Sequence, residues 1–576
     1  MTETSTNRLI RGGTVVDGTG ASAYRADLRI RDGRIVEIAP DLEAAEGEIV
    51  VNATGCHVTP GFIESHTHYD GAMWWQSDLD PLPGYGVTSM VMGNCGFGLA
   101  PLPEDEKIRQ EVIDIFTFFE DFPEAPFHDH LPWNWRKWSE YAASVAERVR
   151  VPVHYATFVS HITIRLAVLG LEAWERAATP EEIGEMTQLL EDALAGGALG
   201  LSSNLFDHDG DDRPIPTLLA TDEEFRALLE VLAAHPGAQF QVPVDNIMRM
   251  TAAASIERVA RLAEGLDVRV QWAGIPNEMW QKQAGLQAPM VALHESFAAK
   301  GRDFWTGFMH APITTSISLE ASLLFTQSGD FVWHEVILAK TEEEKRALLA
   351  DSDWRARARH SWDVECNETA PFRNPQPMIL ELSENGAGPV DTTLGEYADS
   401  LGLHCSDALA EWMLRNGVGS TVRLPNWEKD VEMTLRLIRD PYTVGNISDA
   451  GAHGKMFCGA GDNILLLTEW VRDEGRLGLE EAVHAMTGKL ARHFGFTDRG
   501  ELREGMRADV AVFDLDEIQH RPKRKVFDLS DGKGGTTWRY SRDPAPVRLT
   551  LVEGVATFEG GKSTDARPGQ MLAPSA

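Results

Sequence analysis

Two imidazoles two residues apart close an apolar run, Pro60-Gly61-Phe62-Ile63-Glu64-Ser65-His66-Thr67-His68-Tyr69-Asp70. On a strand, residues i and i+2 project from one face, so His66 and His68 can grip one metal ion together. An isolated His-x-His on a polar edge strand would need no metal. Here Val58, Phe62 and Ile63 make the run apolar, as in a strand buried on both faces, where paired imidazoles need partners to offset desolvation. The expectation is a metal centre at the C-terminal end of a strand.

Three further segments carry groups able to join it. Val91-Met92-Gly93-Asn94-Cys95-Gly96 presents a thiol between glycines. Cys95 is either a zinc ligand as thiolate or a small buried hydrophobe, and position alone divides evenly between the two. Gly445-Asn446-Ile447-Ser448-Asp449-Ala450-Gly451-Ala452-His453 offers one carboxylate followed by small residues that leave space around it. An aspartate so placed can bind metal and move a proton, and His453 can polarise a carbonyl or cap the turn. In Ser160-His161-Ile162-Thr163-Ile164-Arg165, His161 is a proton or substrate contact or else a packing histidine. Arg165 is an anion clamp or a helix surface charge. Both are carried forward as candidate substrate-binding residues.

Positioning these groups requires strands that end at one place. Apolar segments at 58–66, 86–93, 152–160, 198–204, 238–244, 268–274, 304–309 and 443–449 alternate with helical material, which implies parallel strands joined by crossovers. Thr179-Pro180-Glu181-Glu182 is a capping box with proline at the first helical position, and Thr221-Asp222-Glu223-Glu224 repeats the start. A third helix is expected near 254–264. Eight β/α units suggest a closed (β/α)8 barrel, whose strand ends converge on one face. The long span between the seventh and eighth strands includes the capped start Thr341-Glu342-Glu343-Glu344 and is expected to wall or cover the pocket. Trp133, Trp135 and Trp138 with Tyr141 form an aromatic cluster, and the helical spacing of Trp138, Tyr141, Ala142 and Val145 favours helix-to-barrel packing over a substrate wall. Short strands with tight turns at both ends of the chain suggest one shared β-sandwich. The expected organisation is α/β: residues 1–57 as the first part of the sandwich, 58–495 as the barrel with an insertion at about 311–440, and 496–576 as the rest of the sandwich and a tail.

The chain has 576 residues, 43% apolar and 24% charged, the range of a folded globular protein. With 53 Lys and Arg against 88 Asp and Glu, the formal charge is −35, so nucleic acid and anionic membranes are disfavoured partners. The opening Met1-Thr2-Glu3-Thr4-Ser5-Thr6-Asn7-Arg8 lacks a basic region leading into an apolar core, and no run of eighteen apolar residues follows. A cytoplasmic protein with a small-molecule substrate is expected, and homo-oligomer formation is left open. Cys56, Cys95, Cys366, Cys405 and Cys458 are too few and scattered for a disulfide framework.

Taken together, several blocks resemble the amidohydrolase superfamily, in the branch of N-acyl-D-amino-acid deacylases and D-aminoacylases. They are Arg11 to Gly18, Pro60 to Asp70, Gly93 to Gly96, Gly197 to Ser202, Ser448 to His453 and Arg499 to Asp509. The resemblance implies a (β/α)8 barrel with a composite β-sandwich, a divalent metal, usually zinc, and amide hydrolysis by activated water. It gives Asp449 the part of general base and acid and makes His453 the candidate donor to the carbonyl. D-aminoacylases also use a histidine from each of strands five and six. Here those strands end Val242-Pro243-Val244-Asp245-Asn246 and Trp272-Ala273-Gly274-Ile275-Pro276, and strand four ends Ser202-Ser203-Asn204 without the bridging lysine of other amidohydrolases. One ion is therefore expected rather than two, on His66, His68 and Asp449, with Cys95 or Asp245 as an added ligand. The arginine that D-aminoacylases use for the substrate carboxylate has no clear counterpart just after Asp449. Two other readings stand beside hydrolysis: a non-hydrolytic or ester-cleaving enzyme on this scaffold, and an inactive binding homologue.

Overall fold

All eight apolar segments carry strands in the computed structural model, which describes residues 6–246, 250–320, 331–365 and 374–575. Ring strand one is Phe62–Glu64 continued by His66–Thr67, and strand two is Val87–Met92. Strand three is His154–Thr157 with Val159–Ser160, strand four Gly200–Ser202, strand five Gln239–Pro243 and strand six Arg269–Ala273. Strand seven is Phe304–Gly307 and strand eight Thr443–Val444 with Ile447–Ala450. Each pairs in parallel with the next, and strand eight returns to strand one through Ile447 opposite His66. Parallel strands covered on both faces read as continuous apolar runs, which is why Val87–Met92 is buried at every position.

The crossover helices begin where their side chains supply caps. Thr179 accepts from Glu182 N at 3.3 Å while Glu182 accepts from Thr179 N at 2.8 Å, starting Pro180–Ala195. Thr221 caps Asp222–Ala234, and Thr341 caps Glu342–Ala350. The helix expected near 254–264 spans Ala252–Leu262. Trp135, Trp138 and Tyr141 are buried against one another and against Trp74, in the packing role.

The two chain ends share one sheet. Strands Arg8–Val15, Tyr24–Arg31, Arg34–Ala39, Ile49–Asn52 and His57–Pro60 join Val510–Phe513, Leu549–Val552, Val555–Glu559 and Lys562–Ser563. His57–Pro60 pairs with Val510–Phe513, so the terminal sheet runs past the boundary expected at 57 and the ring starts at Phe62. Gly61 N donates to Asp509 O at 2.9 Å just before the first ring strand, tying that strand's start to the terminal sheet.

The long insertion folds about its own core. A small antiparallel sheet of Ser316–Ile317, Ile379–Leu382, Thr392–Thr393 and Thr421–Arg423 packs with Trp333, Trp354 and Trp362. Helix Val431–Arg439 falls outside it: Leu435, Leu437 and Ile438 belong to the main core, as the crossover into strand eight requires. Of the cysteines, Cys56, Cys95, Cys405 and Cys458 are free thiols, and Cys366 lies outside the described residues.

The turn after strand eight is packed without slack. A Cβ added at Gly459 would lie 1.5 Å from the Ser448 carbonyl oxygen. Gly459→Ala is expected to lower stability by roughly 3 kcal/mol or more, because the obstacle is backbone that cannot rotate away. Thermal denaturation measures it; an unchanged midpoint would show that this turn gives way freely.

Candidate metal centre

The strand alternation that puts His66 and His68 on one face brings both rings to the end of the ring where Asp449 arrives from strand eight. Asp449 Oδ1 lies 3.5 Å from His66 Nε2 and 3.2 Å from His68 Nε2. Cys95 Sγ comes within 3.2 Å of His66 Nε2. His66, His68 and Cys95 offer ligand atoms that all lie within 4.8 Å of one another. Two imidazoles and a thiol at this spacing, with the Asp449 carboxylate beside both imidazoles, are a donor set suited to a divalent ion, zinc included.

The backbone bends to place these groups. Cys95 adopts φ +59° and Asp449 φ +55°, in the left-handed region that ordinary residues seldom occupy. The Cys95 turn is held from two sides: its N–H donates to Gln241 Oε1 at 2.9 Å, and its carbonyl accepts from Asn204 Nδ2 at 3.2 Å. Asp449 sits within the closing ladder, at the irregularity between the Ile447–His66 and Ala450–Thr67 pairs, where His68 N donates to Ala450 O at 2.8 Å.

Electrostatics follow from burial. Burial pushes the Cys95 thiol up to about 12 and the His66 imidazolium down to about 4. Asp449 is also penalised by burial, but the hydrogen bond and charge of His68 hold its carboxyl below the usual carboxylate range. A thiol that ligates must lose its proton, so metal and proton compete at Cys95.

One contributor was not singled out in the sequence. Glu120 ends helix Glu106–Glu120, is 1% exposed, and places Oε1 at 3.1 Å from His68 Nδ1. Burial pushes its carboxyl up to about 8. This contact sets the Glu120 carboxyl group behind the far nitrogen of His68 and leaves Nε2 facing Asp449. The signal was present as two adjacent acids inside Phe118-Phe119-Glu120-Asp121-Phe122, where carboxylates buried in an aromatic run need partners. Asp70, also buried, accepts from Gly93 N at 3.2 Å and steadies the turn that carries Cys95.

His453 lines the same cleft, with Nε2 at 3.6 Å from Asp449 Oδ2. Asp245 lines it as well, outside the group formed by His66, His68 and Cys95. The cleft has a volume of about 350 Å³ and opens to solvent. Ile313, Thr315 and Trp427, from the two ends of the insertion, form part of its wall.

The structure does not bring His161 and Arg165 to the cleft, and the substrate-binding expectation is corrected for both. Each is fully buried: His161 Nε2 lies 2.8 Å from Glu224 Oε1, and Arg165 pairs with the other oxygen of the same carboxylate. His161 Nδ1 meets Ser203 Oγ at 2.9 Å, so the cluster ties strand four to two crossover helices. Both side chains start a helix whose buried face turns toward Glu224, a partner remote in sequence. Burial works against ionisation of Glu224, yet the hydrogen bond and charge of His161 and the charge of Arg165 hold its carboxyl below the usual range. Its stabilising contribution is therefore present above the ordinary glutamate pKa and lost as pH falls through the lowered value. Glu224→Gln is expected to cost about 3–5 kcal/mol at neutral pH, because Arg165 is left buried without its counter-charge. Chemical denaturation at pH 7 checks this, and a cost under 1 kcal/mol would show the pair to be dispensable.

Comparison with known proteins gives the family. The pattern of the Amidohydrolase family matches residues 49–310 and 401–558. A D-aminoacylase from Alcaligenes xylosoxydans xylosoxydans is 30% identical over 509 residues, covering 88% of this chain and 87% of the relative. An N-acyl-D-aspartate deacylase from the same organism is 27% identical over 576 residues, covering 98% and 95%. Among solved structures, an N-acyl-D-glutamate deacylase from Bordetella bronchiseptica, complexed with zinc and a phosphonate inhibitor, shares the fold with a TM-score of 0.64 at 23% identity, over 99% of both chains. The chain belongs to the amidohydrolase family, in its D-aminoacylase-like branch, and is a metal-dependent amide hydrolase.

Proposed function

We propose that the protein removes the acyl group from a small N-acyl compound at a centre holding one zinc ion on His66, His68, Asp449 and Cys95. The observation that carries this is the approach of Asp449 Oδ1 to both imidazole Nε2 atoms, at 3.5 and 3.2 Å. A divalent ion held there supplies Lewis acidity, which makes water acidic near neutral pH. Asp449 accepts the proton of the attacking water and returns it to the leaving nitrogen. His453, on the same wall, donates to the carbonyl oxygen as negative charge develops there. Glu120 holds His68 in the tautomer that presents Nε2. The absence of histidine from the ends of strands five and six supports one ion rather than two.

The closed ring of eight parallel strands with its crossover helices is read as a (β/α)8 barrel, and the sheet shared by the chain ends as a composite β-sandwich. Catalysis at the C-terminal ends of the strands is where such a barrel carries its chemistry.

The test joins metal analysis to a substrate screen. Protein purified without chelator is expected to hold one equivalent of zinc per chain and to hydrolyse members of an N-acyl amine and N-acyl amino acid panel, with turnover lost on chelation. Metal-free protein that shows no turnover after zinc is restored would refute the reading.

A further inference from the structure

We infer that Arg542 is a positioning residue for the reaction, one that holds the turn after strand eight and so presents Asp449 and His453 to the cleft. The inference rests on the parts proposed above for those two residues and names what keeps them in place.

The turn is bent in ways it does not sustain alone. Asp449 at φ +55° and His453 at φ +50° both sit in the left-handed region, and such conformations persist where the surroundings enforce them. Within the turn, Met456 N and Phe457 N donate to His453 O at 2.7 and 3.1 Å. From outside, Gly454 N donates to Glu120 O at 3.1 Å, Ser316 N to Met456 O at 2.8 Å and Tyr540 N to Gly454 O at 2.7 Å. Those anchors are backbone groups. Arg542 adds an anchor made by a side chain.

Arg542 ends strand Thr536–Arg542, which pairs with Lys523–Ser530 as a hairpin in the C-terminal part of the chain. It is 7% exposed and is not among the residues that line the cleft. Its Nη2 donates to Cys458 O and, at 2.8 Å, to Asp462 Oδ1. One guanidinium thereby spans the bend 458–462, which Asp462 N closes by donating to Gly459 O at 2.9 Å. Gly459 rests against the Ser448 carbonyl oxygen, too close for a Cβ to fit between them. The route from Arg542 to the reacting groups is therefore short: the gripped bend presses on Ser448, and Ser448 precedes Asp449 in the chain. His453 stands on the arm that leads into the same bend. A side chain without the planar guanidinium fork cannot hold both acceptors in one geometry. Asp462 also keeps His520 Nε2 at 2.9 Å, so loss of Arg542 does not leave its carboxylate alone.

Arg542→Gln and Arg542→Lys test the idea on zinc-loaded protein, with zinc content and melting temperature measured on each sample. Hydrogen exchange is read over residues 450–460, where the amides of Ala452, Gly454, Met456 and Phe457 are hydrogen-bonded. In Arg542→Gln these amides are expected to exchange at least about tenfold faster, while helix Pro180–Ala195, remote from the turn, keeps its protection. On a substrate found by the panel, kcat is expected to fall at least about tenfold with KM within about threefold, the result of displacing reacting groups without losing binding. Arg542→Lys keeps the charge and a donor for the bend, and is expected to fall between the two in both exchange and kcat. Unchanged exchange over 450–460 in Arg542→Gln overturns the inference, as does a kcat within about twofold of the unmodified protein. Loss of zinc, KM and protection throughout the chain, or Arg542→Lys no better than Arg542→Gln, makes Arg542 a packing residue and overturns it as well. Should the unmodified protein hydrolyse no amide, that failure falls on the proposed chemistry, and the exchange result alone decides whether Arg542 holds the turn.

Discussion

Asp449→Asn is expected to lower kcat/KM by about 10³-fold or more, since the variant loses a proton acceptor whose contribution alone is about 10²–10⁴-fold. The substitution keeps the size of the side chain and so tests charge and basicity with little change in packing. Asp449 stands at the point where the first and last ring strands meet, with Oδ1 near both imidazoles and Oδ2 facing His453. Among the described residues that line the cleft, no other carboxylate is shown near both imidazoles: Glu120 lies behind His68, and Glu278 is engaged with Lys429. Steady-state kinetics on a substrate found by the panel measure the loss, with melting temperature and zinc content determined on the same sample. A folded, zinc-loaded variant retaining activity within tenfold would remove Asp449 from the reaction.

Cys95→Ala is expected to weaken zinc binding by at least about 100-fold, more than the loss of a residue that only supports a ligand would produce. The argument lies in how the thiol is held. A non-glycine residue at φ +59° is costly, and such conformations persist where the surroundings enforce them, as Gln241 and Asn204 do here. Gly93 and Gly96 on either side take φ +74° and +80°, so the whole turn is shaped to aim one side chain at the histidines. Dialysis against a graded chelator followed by metal analysis gives the affinity, and a cobalt-substituted sample should lose its thiolate absorption. Zinc retained at unmodified affinity, with only a small fall in melting temperature, would make Cys95 a packing residue.

What could be read before folding was whatever the chain encodes within a few residues. The period of two set His66 and His68 on one face, unbroken apolar runs marked strands covered on both sides, and Thr179, Thr221 and Thr341 with their partnering carboxylates marked helix starts. These are local because backbone geometry repeats over two to four residues. Cys95 and Asp449 were legible as candidates from their place at the ends of apolar strands, although position alone left Cys95 evenly divided between ligand and buried hydrophobe. The pairing of Glu120 with His68, of Glu224 with His161 and Arg165, and of Glu278 with Lys429 was not legible. Each joins elements far apart in sequence, and only closure of the ring and docking of the insertion decide which buried charge faces which. Arg165 shows the consequence: its type suits an anion clamp, and tertiary packing gave it a carboxylate from the protein instead. Donor types and their local spacing thus belonged to the sequence by itself. Which donors share a centre, which charges are already matched, and what the cleft can still accept were fixed by the tertiary structure, because burial makes every polar group find its partner in space.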